Sequence, residues 1–81
     1  MRYHGIERTA ARFSAKARAQ ARYEAEAYQV ASRWCGRPMD AEELARAYEL
    51  FLARWLRTLA ATAPTAELRV RMALEAEALE A

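Results

Sequence analysis

The stretch Ile6–Cys35, IERTAARFSAKARAQARYEAEAYQVASRWC, reads as one uninterrupted helix around which the rest of the chain is organised. Ile6, Ala10, Phe13, Ala17, Glu24, Tyr28, Ala31 and Cys35 recur at spacings of three and four, with one gap near Ala21. That rhythm places them on one face of a helix with 3.6 residues per turn. Alanine, the best helix former, fills much of the rest. Gly36 then suits the left-handed position just past a helix end, and Pro38 cannot continue a helix. The expected first helix spans about 6–35, after an irregular lead-in at 1–5.

A helix of that length runs to about 40 Å at its usual rise. A compact domain of 81 residues spans less than this comfortably. The N-terminal third is therefore expected to project or to meet another subunit. An alanine seam (Ala10, Ala17, Ala21, Ala31) offers a second backbone a close approach. Downstream, Tyr23, Ala27, Val30 and Trp34 form a further stripe, so this half carries apolar residues on two faces. The expectation is that Tyr23 to Cys35 is scaffold gripped by the later helices, with Ile6 to Arg22 left largely uncovered. Tyr3, Tyr23, Tyr28, Tyr48, Trp34 and Trp55 are mostly core by their spacing, with Tyr23 at the core's edge, and Cys35 reads as a small buried apolar residue.

The second helix is announced by its cap. Asp40 is a good N-cap, Glu43 completes a capping box, and Met39 and Leu44 are placed to staple the entry. Over about 41–61 the core face is Leu44, Tyr48, Phe51, Leu52, Trp55 and Leu59, while Arg46, Ala53 and Arg57 point away. Leu50 and Leu56 lie towards the outer side as candidate contacts, and Glu42 and Arg46 are spaced to pair. Thr62–Thr65 forms the next break, with Pro64 suited to a first helical turn. The third helix, about 66–80, carries two stripes: Leu68, Met72, Ala76 and Leu79, then Val70, Leu74 and Ala78. A three-helix domain needs one of them. The surplus makes Leu50, Val70 and Leu74 candidates for an oligomer contact, and a homodimer through the third helix or the alanine seam is expected.

Residues 1–81 allow one small helical domain. A chain this short buries a thin core, and association often supplies part of its stability. The 54% apolar content excludes a disordered chain, and the sparse Gly and Pro make the fold class all-α. No apolar run is long enough to span a membrane, and a single cysteine excludes an intrachain disulfide and fits a reducing, cytoplasmic setting. The Arg-rich, nearly acid-free opening resembles a transit peptide in composition, but the helical pattern runs through it without a cleavage-like break. The Ala and Arg excess fits a GC-rich bacterial or phage coding sequence.

Most catalytic constellations fail on inventory. His4 is the only histidine and is far along the helix from Cys35. Ser14 and Ser32 have no base near them in sequence, and no Gly-rich phosphate loop occurs. Metal-ligand spacing is lacking, so neither a metal nor another cofactor is expected. Glu24, on the apolar seam, suits an arginine partner such as Arg54 or Arg57 better than catalysis.

Charge is where the sequence is distinctive. The net +2 is uneven, because Arg2, Arg8, Arg12, Lys16, Arg18 and Arg22 face only Glu7, whereas acids outnumber bases from Tyr23 onward. At 100° per residue Arg18, Arg22, Arg8, Arg12 and Lys16 fan across an arc of about 160°. Such an arc can follow a phosphate backbone or an acidic protein surface, and Tyr23 at its border can stack on a base. It also suits a merely solvated face in an Arg-biased sequence. A helix-turn-helix is excluded by the acids of the third helix, Glu67, Glu75, Glu77 and Glu80.

The leading expectation is a small non-enzymatic interaction or regulatory protein that docks on a larger protein or protein–nucleic-acid assembly. A phage or mobile-element inhibitor is one form of this. The alternatives are a nucleic-acid-binding protein using the basic arc, and a structural assembly subunit. The arc residues Arg8, Arg12, Lys16, Arg18 and Arg22, with Tyr23, are the candidate binding residues.

Overall fold

Three helices in chain order, α1 (Arg2–Trp34), α2 (Ala41–Ala60) and α3 (Ala66–Glu80), build the chain in a computed structural model. It describes Arg2–Ala81, and all side chains there except those of Arg2, Tyr3, His4 and Ile6. The expectations for Met1, for the Arg2 charge, for Tyr3 as a core aromatic, for His4 and for Ile6 on the seam lie outside the described residues. The all-α architecture is as the sequence indicates. Among the described residues there is no strand, and no helix is long and apolar enough to cross a membrane.

α1 begins at Arg2 rather than near Ile6, so most of the expected lead-in is helical. Gly5 lies inside the helix, where the Thr9 hydroxyl donates to its carbonyl at 2.8 Å. At 33 residues α1 is about 50 Å long, which sets the long dimension of a 52 × 21 × 19 Å molecule. The radius of gyration is 14.6 Å, against about 12 Å for a compact domain of this length. The molecule is a rod because one helix is much longer than the other two.

The helix ends follow the local chemistry. Gly36 adopts φ +79°, the Arg37 N–H donates to Ser32 O at 2.9 Å, and the Gly36 N–H donates to Arg33 O at 3.1 Å. That pair of bonds is a Schellman stop, which satisfies carbonyls the helix leaves open. Asp40 caps α2, accepting from the Glu43 N–H at 2.8 Å, while the Glu43 carboxylate accepts from the Asp40 N–H at 3.4 Å. Thr65, not Pro64, opens α3: its hydroxyl oxygen accepts from the Leu68 N–H at 3.2 Å. Pro64 therefore sits outside the helix.

α2 is the central helix, packing along both α1 and α3, which meet each other over a shorter stretch. It runs antiparallel to α1, with Phe51 against Tyr28 (edge-on, centroids 6.2 Å apart) and Trp55 against Glu24. α3 returns along the N-terminal part of α1, where Arg71 pairs with Glu7 at 3.2 Å and Ser14 donates to Glu75 at 3.1 Å. One core results. Ala17 and Ala21 of α1, Leu52, Ala53, Leu56, Leu59 and Ala60 of α2, and Leu68, Met72 and Ala76 of α3 are all buried in it.

Several packing expectations are corrected. α3 starts where α2 ends, level with the front of α1, so Ile6 to Arg22 is flanked by α3 and Tyr23 to Cys35 by α2 alone. The half expected to be gripped is the more open one. Tyr23, Tyr28, Val30, Trp34 and Cys35 are exposed, Trp34 at 86%. Ala17 and Ala21 receive the chain's own helices, so the alanine seam does not remain as a dimer contact. Leu56 and Ala53 are buried, because a helix between two partners needs a wider apolar arc than the sequence stripe allowed. Arg57 does not simply point away; it binds Glu80. Arg46 pairs with Glu49 at 3.3 Å rather than Glu42, and also donates to Leu79 O at 3.3 Å. Glu24 is held by the Trp55 indole, not by an arginine.

Candidate interaction face on the first helix

The face of α1 turned from the core is a continuous surface with two halves. The buried side is fixed by Ala17, Ala21 and Ala25, all at 3% exposure or less. Opposite it, at helical spacing, lie Arg8, Arg12, Lys16 and Ala19, then Tyr23, Ala27, Val30 and Trp34, all exposed. The front half is cationic and the rear half aromatic and aliphatic.

All of the arc residues lie at the surface, and among the described residues none makes an ion pair. They are not equivalent. Arg18 edges the groove between α1 and α3, which Glu7, Arg71 and Glu75 also line. Arg22 edges the groove between α1 and α2 with Glu26, Leu44 and Tyr48. Arg8, Arg12 and Lys16 carry the arc onto the face turned from the core. Tyr23 follows them on the outer face at 73% exposure, with its ring in solvent.

The residue the sequence reading undervalued is Trp34. Its spacing from Tyr23 and Val30 is legible in the sequence, but spacing alone expects it in the core. A tryptophan 86% exposed at the end of a helix is an unusual cost to leave uncovered. With Tyr23 and Val30 it makes the apolar half of the face.

The oligomer candidates Leu50, Val70 and Leu74 are all exposed. Val70 and Leu74 centre the outer face of α3, flanked by Glu67 and Glu77, and Leu50 stands alone on α2. Nucleophile-bearing residues are dispersed. Ser14 donates to Glu75 at the surface, whereas Ser32 and Cys35 line an open concavity with Tyr28, Arg37 and Glu43. Among the described residues no group of three or more His, Cys, Asp and Glu is placed to hold a metal ion. No protein-family model, curated protein or solved structure matches the chain.

Proposed function

We propose that this chain is a small non-enzymatic interaction protein of the cytoplasm. It docks the outer face of α1 on an acidic surface of a larger protein or protein–nucleic-acid assembly and so regulates it. The carrying observation is the sequence Arg8, Arg12, Lys16, Tyr23, Val30, Trp34 along one exposed face, cations first and apolar anchors after. Arg, Tyr and Trp are the residue types that dominate binding energy at protein interfaces. Cations lacking intramolecular partners steer an acidic surface into register. A phage or mobile-element inhibitor acting by occlusion is one form such a protein takes.

The second reading is nucleic-acid binding by the same arc, favoured by the absence of acids among Arg8, Arg12 and Lys16. A structural assembly subunit is the third. The test compares capture from host extract by the native chain and by the Arg8→Ala/Arg12→Ala/Arg18→Ala variant, with nuclease treatment as a second arm. Docking on a protein predicts a captured species that is lost with the variant and resists nuclease. Identical capture by both chains would overturn it. Nuclease sensitivity with a steep salt dependence would favour nucleic acid instead.

A further inference from the structure

We infer, on the footing that the outer face of α1 is the working surface, that when no other partner occupies it this face takes a second copy of this chain in an antiparallel helix pair. The face is close to palindromic. With two copies of α1 set antiparallel and Tyr23 at the crossing point, Arg12 falls opposite the second copy's Trp34. Lys16 falls opposite Val30, Ala19 opposite Ala27, and Tyr23 opposite itself. Every one of these residues is exposed in the single chain.

Each pairing is chemically matched. Arg12 over an indole is a cation–π contact, and Trp is the best ring for it. The Lys16 stem can cover Val30 while its ammonium stays in water. Ala19 and Ala27 let the backbones approach on either side of the Tyr23 pair, whose rings can stack offset. On the flank, Glu26 lies near Arg22 of the second copy, two residues out of the matched register. The opposite orientation fails on charge. A parallel pair sets Arg8, Arg12 and Lys16 against their own copies, with no acid among them.

The same reasoning disfavours the outer face of α3, where Val70 and Leu74 lie between Glu67 and Glu77 and any self-pairing brings acids together. The matched stripe is ~33 Å long and one helix wide, so the dimer is a weak, concentration-dependent one. Pairing covers Arg12, Lys16, Tyr23, Val30 and Trp34, so it competes with docking of the same face on an acidic partner.

Sedimentation of the native chain from low micromolar to millimolar concentration, with a nitroxide on Cys35, tests this. Cys35 is the only cysteine and is exposed, so no substitution is needed to place the label. The mass should rise from 9.2 kDa towards twice that value. Dipolar spectroscopy should give two labels separated by ~36 Å along the axis, whereas a parallel pair brings them within ~20 Å. Val30→Asp should weaken association at least tenfold with helicity unchanged, and Leu74→Asp should leave it intact. A monomer at every concentration, a short label distance, or a dimer indifferent to Val30→Asp but lost with Leu74→Asp would overturn the inference. A monomeric native chain whose capture still depends on Arg8, Arg12 and Arg18 would remove the dimer and leave the docking proposal standing. A native dimer with arginine-independent capture would do the reverse.

Discussion

Trp55 donates its indole N–H to the Glu24 carboxylate at 2.6 Å, tying α2 to α1 at the point where α1 passes from its cationic to its apolar half. Both residues are half-buried. The bond accounts for an acid standing on an otherwise apolar seam, since a charge-assisted acceptor lets the indole turn inward without an unmet donor.

Glu24→Ala should therefore cost about 1–2 kcal/mol, because it strands the Trp55 donor as well as removing the bond. Glu24→Gln keeps an acceptor and should cost less than half as much. Urea unfolding in a Trp34→Phe background, where emission reports Trp55 alone, reads both the loss and the change around the indole.

The two glycines should respond in opposite directions. Gly36 holds φ +79°, so Gly36→Ala should destabilise by about 1 kcal/mol despite open space around its Cβ position. Gly5 lies within α1 and also has no atom near its Cβ position. Gly5→Ala should stabilise by about 0.5 kcal/mol, by restricting the unfolded chain and improving helix propensity. Paired thermal melts check the signs.

Arg57 and Glu80 form a bidentate pair at the C-terminal end of α3, with Arg57 Nε donating to Glu80 Oε2 at 3.1 Å. The hydrogen bond from Arg57 holds the Glu80 carboxyl below its ordinary range, with the opposite charge adding to the effect. The folded chain thus binds this proton less readily than the unfolded chain. The resulting stability is present above the unfolded carboxyl pKa and is lost as pH falls through the lower folded value. The same bond raises Arg57, whose guanidinium stays charged throughout the accessible range. Glu80→Gln should flatten the acid limb of the stability–pH curve without altering its slope near neutrality. The pair is solvent-exposed, so the difference should be small and shrink with added salt.

The helix stops and caps were legible because each is decided by a few adjacent residues. Gly36 with Pro38 ends α1, and Asp40 with Glu43 opens α2, whatever the rest of the chain does. The covered face of α1 was not legible in the same way. Around Tyr23–Cys35 the period of 3.6 identifies two apolar stripes without saying which is covered. Packing settled it by size: α2 brings the large side chains Leu52, Leu56 and Leu59, and these seat against the small residues Ala17 and Ala21. Choosing the alanine side leaves Tyr23, Val30 and Trp34 outside. Leu56 was misplaced for a related reason, since α2 touches both neighbours and a single stripe understates its buried arc. In α3 the surplus stripe of Val70 and Leu74 was correctly separated from Leu68 and Met72, because there the two lie on opposite sides of the helix.

The central claim is that the outer face of α1 is the surface this protein works with, and hydroxyl-radical footprinting tests it most directly. The dilute pure chain is compared with the chain in host extract, and oxidation is read at each side chain by mass spectrometry. Tyr23, Val30 and Trp34 should oxidise readily in the dilute chain and become protected in extract, while Val70 and Leu74 stay reactive in both. Protection confined to Val70 and Leu74, with Tyr23 and Trp34 unchanged, would contradict the account.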